Sequence, residues 1–257
     1  MHRIDRQRID ALLFDLDGVV TKTAAVHAAA WKRLFDEFLG RRAQGTPWQP
    51  FDVTRDYRTY VDGKPRHDGV RSFLESRGIS LPEGTPDDGP EAETIHGLAE
   101  RKNRFIQASL AQEGVGVYEA AVALVRRARA LGFKTAVVSA SENCVAVLDA
   151  AGLTGLFDVR VDGTDTARLG LRGKPLPDTF LEAARRLRVE PGRAVVIEDA
   201  IAGVQAGRAG RFALVVGVDR VGHAEALRRN GADVVVTRLS DLELAGGTGV
   251  RTDERGT

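Results

Sequence analysis

The sequence has little of several features that define other classes of protein. It contains one cysteine, Cys144, among 257 residues, so no disulfide can form within the chain and a disulfide-rich secreted framework is excluded. No apolar run reaches the roughly 20 residues that a membrane-spanning helix needs. The charged first ten residues are not followed by the apolar stretch of a signal peptide. We therefore expect a soluble protein of the reducing cytoplasm.

An excess of charge of one sign is also lacking. The chain has 37 Lys and Arg against 36 Asp and Glu, a net charge of +1. This balance gives no reason to expect nucleic acid or a membrane surface as a partner. A small anionic substrate would need only a local basic pocket. Hydrophobic residues make up 43% of the chain, which is enough for the core of one large domain or two moderate ones.

Six short runs are apolar almost throughout, as in strands that helices cover on both faces. They are Ala11–Phe14, Thr135–Val138, Phe157–Val161, Ala194–Ile197, Leu214–Val218 and Val234–Val236. The amphipathic helical stretches between them are Tyr118–Leu131, Asn143–Ala151, Asp178–Leu187, Ala202–Ala209 and His223–Asn230. Strands that alternate with helices predict a doubly wound, parallel α/β sheet.

The segment 24–107 differs from the rest of the chain. Its helical patterns are Ala25–Phe38, Gly69–Ser76 and Glu91–Ala111, and no buried strand is evident among them. We therefore expect a helical cap domain at 24–107, inserted into a core domain made of 1–23 and 108–245. The segment 246–257 is rich in Gly, Thr and charged residues, which predicts a disordered tail.

Two acidic residues, Asp15 and Asp17, follow the first predicted strand and precede Gly18. In open α/β sheets, ligands bind at the carboxyl ends of the strands. Two carboxylates at such an end repel each other unless they share a cation or a proton. Magnesium favours oxygen ligands and substrate phosphate oxygens, so the pair indicates a magnesium site. The alternative is an acidic turn with no function.

Other polar residues follow later strands or lie in loops before helices. Ser139 ends the second predicted strand, Lys174 lies in a loop before a helix, and Glu198 and Asp199 follow the fourth strand. Taken singly, each could be a helix cap or a solvated loop residue. Taken together, they would bring two acid pairs, a hydroxyl and a lysine to one edge of one sheet.

These segments, in this order, resemble the four motifs of the haloacid dehalogenase-like superfamily, and the finer pattern is similar to its β-phosphoglucomutase-like family. The resemblance rests on FDLDGVVTKTAAVHAAAW, SASEN, GKPLPDTF and IEDAIAGVQAG and extends over residues 11–236. It implies a doubly wound, Rossmann-like core with an inserted α-helical cap. It also implies an enzyme that transfers phosphoryl groups.

The resemblance implies a role for each core residue. Asp15 would be the nucleophile that becomes an aspartyl phosphate, and Asp17 the general acid and base. Ser139 and Lys174 would hold the transferring phosphoryl oxygens. The implied Mg²⁺ ligands are the Asp15 carboxylate, the Asp17 backbone carbonyl and Asp199, with Glu198 close by.

The resemblance also implies substrate-binding residues. Thr23 would position the acid and base, His27 would help to activate a sugar hydroxyl, and Arg66 would hold the phosphate that is not transferred. The other residues implied near the substrate are Trp31, Lys102, Ala140, Ser141 and Asn143. The sequence departs from the family pattern at Lys22, Glu142 and Gly69 and in a longer segment, 40–81.

The implied reaction converts β-glucose 1-phosphate into glucose 6-phosphate, with glucose 1,6-bisphosphate as primer. The principal alternative is a Mg²⁺-dependent phosphatase of small sugar phosphates. A binding protein without activity, a haloacid dehalogenase and an enzyme with Cys144 as nucleophile fit the acidic and basic residues less well. The longer cap segment resembles a variant found beside or fused to disaccharide phosphorylases, which suggests a functional link to such an enzyme.

Overall fold

The computed structural model describes residues 2–43, 45 and 47–246. Six of its strands form one parallel sheet in the order β4-β3-β2-β5-β6-β7. The strands in the described part of the chain are β1 (His2–Asp5), β2 (Ala11–Phe14), β3 (Lys134–Val138), β4 (Val159–Val161), β5 (Ala194–Glu198), β6 (Leu214–Val218), β7 (Val234–Val236) and β8 (Leu242–Ala245). The predicted parallel α/β architecture is confirmed.

Helices connect these strands. They are α1 (Ala24–Ala43), α2 (Arg66–Ser76), α3 (Ile95–Glu113), α4 (Glu119–Ala130), α5 (Cys144–Ala150), α6 (Gly163–Leu169), α7 (Asp178–Leu187), α8 (Ile201–Ala209) and α9 (Ala224–Arg229). Helix α6 was not predicted; its first turn is capped by the Asp162 carboxylate, which accepts from the Asp165 backbone N–H at 3.0 Å. No helix in the described part of the chain is both long and apolar enough to cross a membrane.

The central strand β2 shows why its run of four apolar residues is a strand. Successive side chains point to opposite faces of the sheet. Leu12 and Phe14 belong to the hydrophobic cluster on one face, and Ala11 and Leu13 to the cluster on the other. All four are fully buried. Since helices cover both faces, every position of the strand has to be apolar.

A second, two-stranded sheet was not predicted. In it β1 pairs in parallel with β8. Strand β1 has the sequence HRID, of which only Ile4 is fully buried, so its pattern gives no apolar run to recognise. The predicted disordered tail, 246–257, lies outside the described residues except for Gly246.

The helices between β2 and α4 pack around a hydrophobic cluster of their own. Phe35 lies at its centre, with its ring centroid 5.3 Å from Trp31, 5.3 Å from Phe51 and 4.0 Å from Phe73. Contacts within this cluster join α1, α2 and α3. We call the segment from α1 to α3 the cap; its predicted bounds, 24–107, remain a prediction.

We expect Phe35→Ala to lower the free energy of unfolding by about 3–5 kcal/mol, since it leaves a cavity among three aromatic rings. Urea unfolding monitored by circular dichroism measures this loss. Val53→Ala is the matched control in the cap: Val53 is 45% exposed, and its truncation should change stability by less than about 0.5 kcal/mol. Equal effects of the two substitutions would contradict a packed cap core.

Candidate active site

The sheet order brings the predicted core residues together. Strands β3, β2 and β5 are neighbours. Asp15 follows β2, Ser139 follows β3, and Glu198 is the last residue of β5. Because the strands are parallel, their carboxyl ends share one edge of the sheet. Residues far apart in sequence therefore meet at a single point.

Lys174 is the cation at this point. It reaches the site from the loop between α6 and α7, and its ammonium donates to Asp15 Oδ1 and, at 2.7 Å, to Glu198 Oε1. Its side chain is 2% exposed. Burial lowers the pKa of Lys174, but the carboxylates of Asp15 and Glu198 outweigh burial and raise this pKa above its ordinary value. Lys174 is therefore charged at all physiological pH values.

Both carboxylate oxygens of Glu198 accept hydrogen bonds from donors within the protein. Its Oε1 accepts from Lys174, and its Oε2 accepts from the Ala200 backbone N–H at 2.6 Å. A Cβ at Gly203 would lie 1.7 Å from Oε1, so only glycine leaves room for this carboxylate. Glu198 thus positions Lys174, and its predicted role near the metal remains a prediction.

Asp199 lies over the loop that carries Asp15 and Asp17. A Cβ at Gly18, where φ is +92°, would lie 1.9 Å from Asp199 Oδ2. Burial raises the pKa of Asp199 well above its ordinary value, and the neighbouring carboxylates add to this. Burial likewise raises the pKa of Asp15, although Lys174 acts against the shift. Around one ammonium there is thus a surplus of carboxylates.

The surplus is what a divalent cation would neutralise. In the described part of the chain, no three His, Cys, Asp or Glu side chains are arranged to hold a metal ion. Magnesium does not need three: it is commonly bound by one or two carboxylates, with waters and substrate phosphate oxygens completing the shell. The side chains of Asp15 and Asp199, which line one cavity, supply two such carboxylates; that they bind Mg²⁺ together with the Asp17 backbone carbonyl remains a prediction.

The Asp17 carboxylate lies among a set of hydroxyls. Its Oδ1 contacts Thr23 Oγ1, and its Oδ2 accepts from Ser139 Oγ at 3.3 Å. Thr23 Oγ1 lies 2.7 Å from Thr21 Oγ1, which lies 3.2 Å from the Leu16 carbonyl. Each hydroxyl has one proton, so the pair of threonines can donate toward Asp17 or toward Leu16. Both protonation states of Asp17 therefore find a partner.

His27 and Lys102 extend this network into the cap. His27 Nε2 lies 3.5 Å from Asp17 Oδ1, and its Nδ1 lies 3.0 Å from Lys102 Nζ. Burial, with the charge of Lys102, lowers the pKa of His27 to about 4, so the imidazole is neutral at pH 7. When Lys102 is an ammonium it can only donate, which leaves the imidazole proton on Nε2, facing Asp17.

Lys102 is itself buried, at 5% exposure, with its Nζ 4.9 Å from the ring centroid of Trp31. Burial lowers the pKa of Lys102 to about 7, and Arg66 acts in the same direction. Arg66 donates to Glu142 Oε2 at 2.7 Å. Two cap cations thus face the same space.

The cap and the core enclose a cavity of about 770 Å³. The predicted site residues that line it are Asp15, Asp17, His27, Trp31, Arg66, Lys102, Ala140, Ser141, Asn143, Lys174 and Asp199. Three others, Thr23, Ser139 and Glu198, lie behind this lining and bond to residues within it. The Asn143 amide also joins core to cap, since it donates to Asn103 Oδ1 at 2.9 Å.

Some residues at the site were not predicted. Asp62 and Tyr57, from the longer cap segment, line the cavity, and the Asp62 backbone N–H donates to the Tyr57 carbonyl at 2.9 Å. Burial raises the pKa of Asp62 to about 7, and Glu198 adds to the shift. The loop is held against the core at Gly63, where a Cβ would lie 3.0 Å from Ala200 Cβ. For Asp62 the sequence signal is the segment YVDGKPR, residues 60–66 of the longer cap segment; Tyr57 lies outside it.

His223 was missed as well. Its Nε2 lies 3.0 Å from the Asp199 carbonyl oxygen, and its Nδ1 lies 3.3 Å from Asp219. It thereby fixes the backbone of the loop that carries Asp199. In contrast, Cys144 is fully buried in the core, and burial raises the pKa of its thiol, so nothing here supports it as a nucleophile.

The family follows from comparison with known proteins. The family model described as haloacid dehalogenase-like hydrolase matches residues 9–211. The chain belongs to the haloacid dehalogenase-like hydrolase family. A β-phosphoglucomutase of Mycobacterium bovis is 49% identical over 241 residues, which are 92% of each chain. An uncharacterised glycosyl hydrolase of Mycobacterium tuberculosis is 42% identical over 246 residues, 95% of this chain but 18% of that protein.

The fold has the same relatives. The crystal structure of a β-phosphoglucomutase from Clostridium difficile matches with a TM-score of 0.73 and 28% identity. The match covers 91% of this chain and 92% of that one. The chain is therefore an enzyme of this family with a mutase-like fold, as the resemblance implied.

We expect Mg²⁺ to raise the melting temperature of the EDTA-treated protein by roughly 5 °C or more at saturation, because the ion binds the folded carboxylates and not the unfolded chain. Differential scanning fluorimetry measures the shift. Asp199→Asn should remove most of it, whereas Asp87→Asn, at an exposed cap position, should leave it intact. An equal shift in the Asp199 variant would show that the ion binds elsewhere.

Proposed function

We propose that this protein is a β-phosphoglucomutase that converts β-glucose 1-phosphate into glucose 6-phosphate through an aspartyl phosphate on Asp15. The observation that carries the proposal is the shared cavity. On its core side lie the Asp15 carboxylate and the ammonium of Lys174; on its cap side lie Arg66 and Lys102. A cavity lined by cations from both the core and the cap suits a sugar that carries two phosphates. The mycobacterial relative at 49% identity supports the same activity.

Asp15 is suited to attack phosphorus. Lys174 binds its Oδ1, and among the described residues no donor is bonded to its Oδ2. The second oxygen is therefore available to the substrate in the cavity. Lys174 would also neutralise charge on the transferring phosphoryl group, whose negative charge is spread over three oxygens. Bound Mg²⁺, held by Asp15, Asp199 and the Asp17 carbonyl, would supply further positive charge.

Asp17 is suited to move the proton. A sugar alkoxide is a poor leaving group, so its oxygen needs a proton as the bond to phosphorus breaks. The threonine pair, Thr21 and Thr23, can satisfy Asp17 before and after it gives up this proton. Neutral His27 presents its Nε2–H beside the same carboxylate and can donate a hydrogen bond to a sugar hydroxyl nearby.

The cap decides which acceptor receives the phosphoryl group. Arg66 and Lys102 would hold the phosphate that is not transferred, with Ser141 and Asn143 on the core side. Glucose 1,6-bisphosphate would then serve as the primer that first phosphorylates Asp15. Docking of the cap would exclude water and so favour transfer to a sugar hydroxyl over hydrolysis.

The metabolic setting is part of the proposal. The glycosyl hydrolase relative contains a region 42% identical to this chain within a much longer protein. Such an arrangement supports a functional link to an enzyme that cleaves glycosidic bonds; a disaccharide phosphorylase, which the resemblance implied, would supply the sugar 1-phosphate. A cytoplasmic location suits phosphorylated sugars of this class.

A second candidate is a hydrolase of small sugar phosphates, which the family description favours. Both activities use every core residue named above. They differ in whether water or a sugar hydroxyl takes the phosphoryl group from Asp15.

The two candidates give different products from one incubation. With Mg²⁺, β-glucose 1-phosphate and a trace of glucose 1,6-bisphosphate, we expect glucose 6-phosphate as the product. Phosphorus NMR detects its formation. Inorganic phosphate with free glucose as the products would identify the hydrolase instead.

The Asp15→Asn substitution tests the nucleophile. It should reduce turnover at least a thousandfold while the circular dichroism spectrum is unchanged, because the carboxylate nucleophile is gone.

Substrate affinity should depend on Lys102. Its pKa of about 7 means that its charge is present below pH 7 and is lost as the pH rises to about 8.5. We therefore expect the KM for glucose 1-phosphate to rise over this pH interval. Calorimetry should also show that the protein takes up protons when it binds glucose 1-phosphate. The second ionisation of the substrate phosphate lies lower, near pH 6.

The control variants separate this effect from other charges. Lys102→Met should raise the KM at pH 7 and flatten its pH dependence. Lys32→Met, in α1 with its ammonium paired to Asp36, should leave the profile unchanged. A profile that survives in the Lys102 variant would assign the titration to another group.

A further inference from the structure

One ion pair joins the cap to the core within the cavity. Arg66, the first residue of α2, donates from Nη2 to Glu142 Oε2 at 2.7 Å. Glu142 belongs to the core loop between β3 and α5. The Arg66 side chain is 18% exposed and that of Glu142 is 39% exposed. Both residues line the cavity.

The hydrogen bonding of Arg66 is incomplete. Its Nε is buried and has no acceptor, although Nε and Nη2 form one edge of the guanidinium. Glu142 therefore uses only half of this edge. A phosphate can accept from both nitrogens in the bidentate arrangement that arginine favours. The unused donor leaves this edge able to take a ligand that accepts from both nitrogens.

Glu142 is anchored so that it stays near Arg66. A Cβ at Gly163 would lie 2.7 Å from the Glu142 backbone nitrogen, so the loop packs tightly on the start of α6. The Gly163 N–H also donates to the Ser141 carbonyl at 3.1 Å. A phosphate that binds Arg66 must therefore displace the Glu142 side chain or bind beside its negative charge.

We propose that Glu142 is a specificity-determining residue that occupies Arg66 in the free enzyme and competes with the non-transferring phosphate of the substrate. This inference rests on the proposed function, which assigns that phosphate to Arg66. Only a strongly anionic group can displace the carboxylate, so Glu142 selects dianionic phosphate over a neutral sugar hydroxyl at this end of the cavity. The same pair holds the cap to the core before substrate binds.

The test measures binding of glucose 6-phosphate to the Mg²⁺-loaded enzyme. Glu142→Gln keeps the shape of the side chain and removes the competing charge. We expect the dissociation constant of this variant for glucose 6-phosphate to fall by roughly threefold to fivefold. A change of this size corresponds to the free energy that a partly exposed ion pair contributes. The gain should shrink as salt is added, because the competition is electrostatic. Phosphorus NMR titration covers the weak affinities involved.

Two comparisons make the result specific. Glu190→Gln, an exposed glutamate outside the cavity, should leave the affinity unchanged. In an Arg66→Gln background, Glu142→Gln should bring no gain, because the arginine for which it competes is absent. Equal gains in both backgrounds, or no gain in either, would overturn the competition.

The outcome also separates this inference from the proposed function. If the wild-type protein binds glucose 6-phosphate and the Glu142 variant binds it equally well, the inference fails and the mutase proposal stands. If the wild-type protein does not bind the phosphosugar at all, the proposed substrate class fails and the inference falls with it.

Discussion

The charge of Lys174 is the interaction on which the candidate site depends. Its ammonium lies between Asp15 and Glu198, all three being buried. Without it, two carboxylates at the end of the sheet would face each other with no counter-charge, and the pKa of Asp15 would rise further. The ammonium neutralises only part of the charge, because Asp199 and Asp62 are close by. What remains is a site that is prepared for a cation and for an electrophilic phosphorus atom.

Glycine at two positions makes this crowding possible. Gly203 leaves room for the Glu198 carboxylate and Gly18 for that of Asp199. In each case a carboxylate oxygen lies less than 2 Å from the point that a Cβ would occupy. The site is thus built by omission of side chains as much as by the acidic residues themselves, and a methyl group at either position would push a carboxylate out of place.

The cap contributes charge of the opposite sign and a means of control. Arg66 and Lys102 line the same cavity as Asp15, and the Arg66–Glu142 and Asn143–Asn103 contacts hold the two parts together. These contacts form between side chains that are 76 and 40 residues apart. A ligand that takes Arg66 from Glu142 would therefore also replace one of the contacts that hold the cap to the core.

The sequence by itself determined the parallel sheet, because a strand buried on both faces must be apolar throughout. It also predicted which polar residues follow the ends of those strands, since their positions after the apolar runs can be read from the chain; the catalytic roles given to them remain predictions. Strands Ala11–Phe14, Leu214–Val218 and Val234–Val236 match their predictions to the residue. Only the tertiary structure decided which side chains contact each other. The contacts are those of Glu198 with Lys174, Ser139 with Asp17 and Arg66 with Glu142. The tertiary structure also decided that Tyr57 and Asp62 line the cavity. The physical reason is that periodicity is a local property of the chain, whereas contacts between charges depend on how the cap docks on the core.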